Sequence, residues 1–180
     1  LPLWWLRAWG LSVEMSGVAG GRWNVGGRLG GDGDGPTLLL NGHLDTVGVT
    51  GMTVEPFGGE LQDGRLWGRG ACDMKGGVAA LLAATAKVAR DPLPGTLVVA
   101  LTADEEHGSL GMETLVRSGM SADAAVICEP TGLAVMPAHK GFVWLEVAFR
   151  GRAAHGSRPD AGVDAIEHAG HYLTALGALR

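Results

Sequence analysis

Three runs of almost unbroken apolar residues constrain this chain most: "TLLLNG" (37–42), "TLVVALTA" (96–103) and "DAAVICE" (123–129). Each is too short for a typical helix and mostly apolar, so each reads as a strand covered on both faces. Between the first two lies "KGGVAALLAATAKVAR" (75–90), an alanine-rich helix closed off by Pro92 and Pro94. A further helix is expected around 109–118. Strands and helices alternating in this way predict an α/β domain, a mixed, largely parallel sheet flanked by helices.

Two more strands, "LSVEMS" (11–16) and "RWNVGG" (22–27), precede these, behind an amphipathic helix in "LPLWWLRAWG" (1–10) that Gly10 can cap. The glycine-rich stretch 20–36 reads as a strand ending in a loose turn. Residues 43–64 read as a polar loop and "RLWGRG" (65–70) as a short strand or turn. Near residue 139 the pattern changes. "KGFVWLEVAFRG" (140–151) alternates apolar and polar residues like a half-exposed strand. "GVDAIEHAGHYLTALGALR" (162–180) then reads as an amphipathic helix with Ile166, Tyr172, Leu173 and Leu176 inward. The expected organisation is one domain over 1–138 and the opening of a second, small α+β domain over 139–180.

Composition excludes several function classes. Of 180 residues 46% are apolar and 18% charged, which suits a packed core rather than disorder. The net charge is −5 and the 14 Lys and Arg are scattered, so there is no basic footprint for nucleic acid. The first ten residues are apolar but interrupted by Arg7, and resemble neither a secretion signal nor a membrane span. The only cysteines, Cys72 and Cys128, are too few for a disulfide framework, and a reducing, cytoplasmic setting is expected. Both are expected to be packing residues.

In open α/β sheets ligands bind at the carboxyl ends of the parallel strands. Four polar sites fall there: His43 and Asp45 in "NGHLDTV", Asp73 in "WGRGACDMKGG", Glu105 and Glu106 in "ADEEHGSLG", and Glu129 in "ICEPT". Taken singly, each has an ordinary explanation: a loop histidine, a helix cap, solvated acids, a turn residue. Together they put one imidazole and several carboxylates at one edge, and anions at that density need a cation. The mixed nitrogen and oxygen donors, with no thiolate, suit Zn²⁺ or a similar divalent ion. Asp45 can accept the other imidazole N–H of His43. Of the adjacent glutamates, one can bind metal while the other serves as a general base.

The stretches "NGHLDTV", "WGRGACDMKGG", "ADEEHGSLG", "ICEPT" and "GRAAHGSRPDAGVDAI" follow one another between residues 41 and 166. They resemble, in the same order, the metallopeptidase family of acetylornithine deacetylase, succinyl-diaminopimelate desuccinylase, aminoacylase and the glutamate carboxypeptidases. The resemblance implies a catalytic first domain holding two zinc ions, cobalt being possible. Asp73 would bridge them, His43 and Glu129 would complete one, and Glu106 would belong to the other. It further implies that Asp45 orients His43, that Glu105 is the general base, and that His155, on a lid domain, stabilises the oxyanion.

The activity implied is removal of an N-acyl group from an amino acid, as in acetylornithine deacetylase or succinyl-diaminopimelate desuccinylase of amino-acid biosynthesis. Alternatives are a dipeptidase or glutamate carboxypeptidase of the same family, or an inactive truncated remnant. The expected partners are a small N-acyl amino acid or dipeptide and a second copy joined through the lid, with no nucleic acid or membrane. The family's second metal takes a further histidine from beyond the lid. The chain is therefore expected to be the N-terminal part of an enzyme about twice as long, binding one metal better than two and having little activity alone.

Overall fold

The computed structural model describes residues 2–30, 35–141 and 143–179. Residues 31–34, within the stretch 20–36 expected to end in a loose turn, and Phe142 lie outside them. The chain divides into two compact units, Leu1–Val135 and Met136–Arg180.

The first unit is built on a five-stranded sheet of β1 (Ser12–Val18), β2 (Arg22–Gly30), β3 (Thr37–His43), β6 (Thr96–Thr102) and β7 (Ala124–Ile127). Their order is β1-β2-β6-β3-β7. β1, β2 and β6 pair antiparallel, whereas β3 runs parallel to both β6 and β7. The sheet is therefore mixed and parallel where the polar strand ends meet. Every residue of β6 is buried, as its apolar run requires of a central strand. β7 differs from the expected buried strand. It is an edge, paired only with β3, and Val126 and Ile127 are about half exposed.

Helices α1 (Pro2–Ala8) and α2 (Gly76–Val88) cover the sheet. Helix α1 ends as Gly10 suggests. Gly10 takes φ 86°, its N–H meets the Arg7 carbonyl, and the Leu11 N–H reaches back to Leu6. Leu6 and Leu11 thereby enter the core. Helix α2 turns Val78, Leu81, Leu82 and Thr85 inward at i, i+3, i+4 and i+7. It can settle onto β3 only because residue 42 is glycine. A Cβ there would lie 2.9 Å from Val78 Cγ2 and 3.0 Å from Met74 Cε. Helix α3 (Leu110–Arg117) follows β6.

The stretch expected to be loop over 43–64 contains a strand. β4 (Glu60–Gln62) and β5 (Arg65–Trp67) form a hairpin. Asp63 and Gly64, both at positive φ, make its two-residue turn, and an Asp-Gly pair is the sequence signal for such a turn.

In the second unit, residues 140–151 form no strand among the described residues, contrary to their alternation. A strand needs a hydrogen-bonding partner as well as a pattern, and the unit's one described β-bridge joins Arg152 to Val163. Helix α4 (Ala165–Gly177) begins where Asp164 accepts the N–H groups of Ile166 and Glu167. Tyr172 packs on Phe149, but Ile166, Leu173 and Leu176 are exposed rather than inward. No described helix is long and apolar enough to cross a membrane.

Candidate metal centre

The parallel pairing of β3 with β6 and β7 sets His43 opposite Thr102, so the three strands end at one edge of the sheet. His43, the last residue of β3, is 1% exposed, and its N–H meets the Met74 sulfur at 3.2 Å. Its ring is therefore positioned by the core while its Nε2 edge looks out on carboxylates.

Asp73 sits in the π-helical turn Ala71–Lys75 that leads into α2. It does not cap that helix; its Oδ1 lies 3.1 Å from His43 Nε2. Glu105 Oε2 and Glu129 Oε1 each stand 3.9 Å from the same nitrogen. Single ligand atoms of His43, Glu105 and Glu129 come within 4.8 Å of one another, and so do those of His43, Asp73 and Glu106. Both groupings use the one imidazole.

Asp45 has a different geometry from the one its spacing suggests. The backbone carbonyl of Asp45 lies 2.9 Å from His43 Nδ1, and its carboxylate is farther away, at 3.7 Å. The carboxylate instead accepts the amide N–H groups of Glu105 and Glu106, each at 3.1 Å. Asp45 thus touches the imidazole with its backbone and holds the paired glutamates with its side chain.

No Lys or Arg side chain pairs with Asp45, Asp73, Glu105, Glu106 or Glu129 among the described residues. Lys75, the nearest candidate in sequence, donates to the Leu44 carbonyl at 3.0 Å. The pKa shifts report the resulting crowding. Burial, together with the charges of Glu106, Asp45 and Asp73, raises Glu105 against the opposing pull of His43. Burial likewise raises Glu129, helped by Asp73, Glu105 and Glu106 and opposed by His43. For His43 burial favours the neutral ring, but the Asp73 hydrogen bond, the Asp45 carbonyl and the Glu129 and Glu105 charges outweigh it and raise the pKa. Protons are drawn to a place that would suit a cation, and this donor set fits a divalent ion of the zinc type.

His155 belongs to the second unit. It is exposed, its Nδ1 lies 3.0 Å from Ser157 Oγ, and it lines an open cleft with Arg152 and His168. Cys128 packs against the core, but Cys72 is exposed rather than a packing residue; both are free thiols. Three residues that the sequence reading passed over, Arg22, Asn24 and Asp104, surround the Glu105–Glu106 turn. The run of three consecutive acids at 104–106 was the one available signal for Asp104; nothing local marks Arg22 or Asn24.

Residues 39–175 match the model of "Peptidase family M20/M25/M40". The chain is 41% identical over 149 residues to an acetylornithine deacetylase of Myxococcus xanthus, covering 82% of this chain and 39% of that protein. It is 37% identical over 181 residues to one of Erwinia tasmaniensis, covering 98% and 47%. It therefore spans less than half the length of these curated relatives. Among solved structures, aminopeptidase PepT of Bacillus cereus matches with a TM-score of 0.65 at 26% identity, over 94% of this chain and 48% of that one.

Proposed function

The chain belongs to peptidase family M20/M25/M40, and from that premise we propose that it carries the greater part of a two-metal amide hydrolase site. The observation that carries the reading is His43, buried and ringed on one nitrogen by Asp73, Glu105 and Glu129 with no cationic side chain among them. In this reading His43, Asp73, Glu106 and Glu129 would hold the metal, two zinc ions in the complete site with cobalt an acceptable substitute. Divalent ions there would polarise the scissile carbonyl and make water a nucleophile near neutral pH.

Glu105 has the remaining work. It accepts a proton from water as the water oxygen adds to the amide carbon. It then delivers that proton to the nitrogen as the C–N bond breaks, leaving a carboxylate and a free amine. Asp45 holds the Glu105 and Glu106 amides, and so fixes where the two acids stand. His155, on the second unit, would stabilise the oxyanion.

The substrate in this reading is a small N-acyl amino acid; identity to the two acetylornithine deacetylases supports an acetylornithine-like one, and a succinyl-diaminopimelate-like one is the other option. A peptide substrate is the second reading, favoured by the likeness to PepT. A cytoplasmic setting is supported by the two free thiols. A homodimer through the second unit is supported by the exposure of Val143 and Leu145. The test is hydrolysis by the zinc-loaded full-length protein of N-acetylornithine, N-succinyl-diaminopimelate and a dipeptide series. Faster turnover of the acyl amino acids supports the deacylase reading, and faster turnover of dipeptides supports the second. Absence of turnover on all of them overturns the hydrolase reading.

A further inference from the structure

The Glu105–Glu106 turn is held from two sides. On the β3 side Asp45 accepts both amides. On the other side lies β2, whose ladder with β6 stops at the pair Val25–Leu101. Beyond it β6 runs on towards the turn while β2 runs back through Asn24 and Arg22, and side chains take over from main-chain pairing.

Asn24, 4% exposed, accepts the Ala103 N–H at 3.0 Å and donates Nδ2 to the Gly111 carbonyl at 2.8 Å. It bridges the two ends of the turn. Arg22, two residues earlier and so on the same side of the strand, pairs with the buried carboxylate of Asp104. That carboxylate also accepts the Leu110 N–H at 3.4 Å. The approach is so close that a Cβ at residue 111 would stand 2.6 Å from Asn24 Oδ1, and residue 111 is glycine.

We propose that Arg22 and Asn24 are positioning residues. They brace the turn through Asp104, Ala103 and Gly111, so that Glu105 and Glu106 keep one conformation beside His43. Two adjacent acids repel each other, and Asp45 holds their amides from one side only; the β2 side chains close the opposite side. Misplacing a catalytic group by about 1 Å can cost on the order of 100-fold in rate. The kinetic part of this inference rests on the hydrolase reading, and the structural part does not.

The experiment compares wild type, Arg22→Met and Arg22→Lys in the full-length protein. Arg22 is partly exposed, but Arg22→Met leaves the buried Asp104 carboxylate unpaired, so Arg22→Lys, which keeps the charge, stands beside it. Steady-state kinetics are read on the zinc-loaded protein, and amide hydrogen exchange on the metal-free protein. Arg22→Met is expected to lower kcat about 10- to 100-fold with KM changed less than about two-fold. The Glu105 and Glu106 amides should exchange at least about ten-fold faster, with Val99 and Leu101 unchanged. Arg22→Lys, which keeps the charge, should recover most of both effects. Unaltered exchange at Glu105 and Glu106, or a loss of protection equal at Val99 and Leu101, would overturn the brace. If the wild type hydrolyses nothing, the hydrolase reading fails and the exchange data still decide this inference.

Discussion

Nε2 of His43, a side chain 1% exposed, stands 3.1 Å from Oδ1 of Asp73, a side chain 53% exposed. The pair runs from the interior of the sheet to the solvent. One partner is held by packing and the other by the turn that starts α2. As proposed metal ligands the two would offer a nitrogen fixed by packing and an accessible oxygen, and the first prediction follows from that asymmetry.

Asp73→Asn keeps the side chain's shape but removes its charge. Isothermal titration with Zn²⁺ should show affinity falling by more than the roughly 10- to 100-fold expected from losing a group that only supports a ligand. The metal-free melting temperature should change little, because the carboxylate is half exposed. In the wild-type chain the same titration should show one tight ion, because both candidate groups depend on His43. Unchanged zinc affinity in the variant would remove Asp73 from the proposed metal site.

Glu105 and Glu106 are neighbours with separable effects. In the full-length protein Glu105→Gln should lower kcat by about 10²- to 10⁴-fold, the usual contribution of a general base, with zinc affinity nearly unchanged. Glu106→Gln should weaken zinc binding first, with activity partly restored by excess metal. If the two variants behave alike, the division of labour between the acids is wrong.

Glu129 carries a pH signature in the metal-free protein. Its folded pKa is raised above 4.5, so the folded state binds a proton more readily than the unfolded chain. Its favourable contribution is complete below about 4.5 and is lost as pH rises through the folded value. His43 and Glu105 have the same sign. Glu129→Gln removes the partly buried charge, so with a chelator present it should melt higher than wild type at pH 7. The difference should disappear near pH 4.5. A variant less stable than wild type at pH 7 would contradict the raised pKa.

Gly42 is the point at which α2 approaches β3. Gly42→Ala would push a methyl against Val78 and Met74, and overpacking of this kind costs about 1–3 kcal/mol. Urea unfolding should show a lower midpoint with an unchanged slope. Since His43 follows directly and its N–H meets Met74, zinc affinity should fall as well. An unchanged midpoint would mean that the helix can shift away.

How much of the site could be read in the sequence varies residue by residue. His43, Asp73, Glu105, Glu106 and Glu129 were legible because each follows or adjoins an apolar run whose end could be located from composition. The structure does bring these five side chains together. Asp45 was legible only as a neighbour of His43: two residues along an extended chain share a side, but spacing cannot say whether the carbonyl or the carboxylate meets the ring. Arg22 and Asn24 were not legible. Their partners, Asp104, Ala103 and Gly111, lie about eighty residues away.

By itself the sequence determined the alternation of strand and helix, the helix end at Gly10, and the polar residues placed where strands stop. Those features depend on side-chain period, capping and turn chemistry, all of which act within a few residues. Only the tertiary structure decided that β7 is an exposed edge, that 140–151 forms no strand among the described residues, and that Arg22 and Asn24 of β2 meet Asp104, Ala103 and Gly111. Each of these depends on which backbone or side chain lies opposite across the fold. A hydrogen bond is indifferent to sequence distance, so local pattern carries no record of its partner.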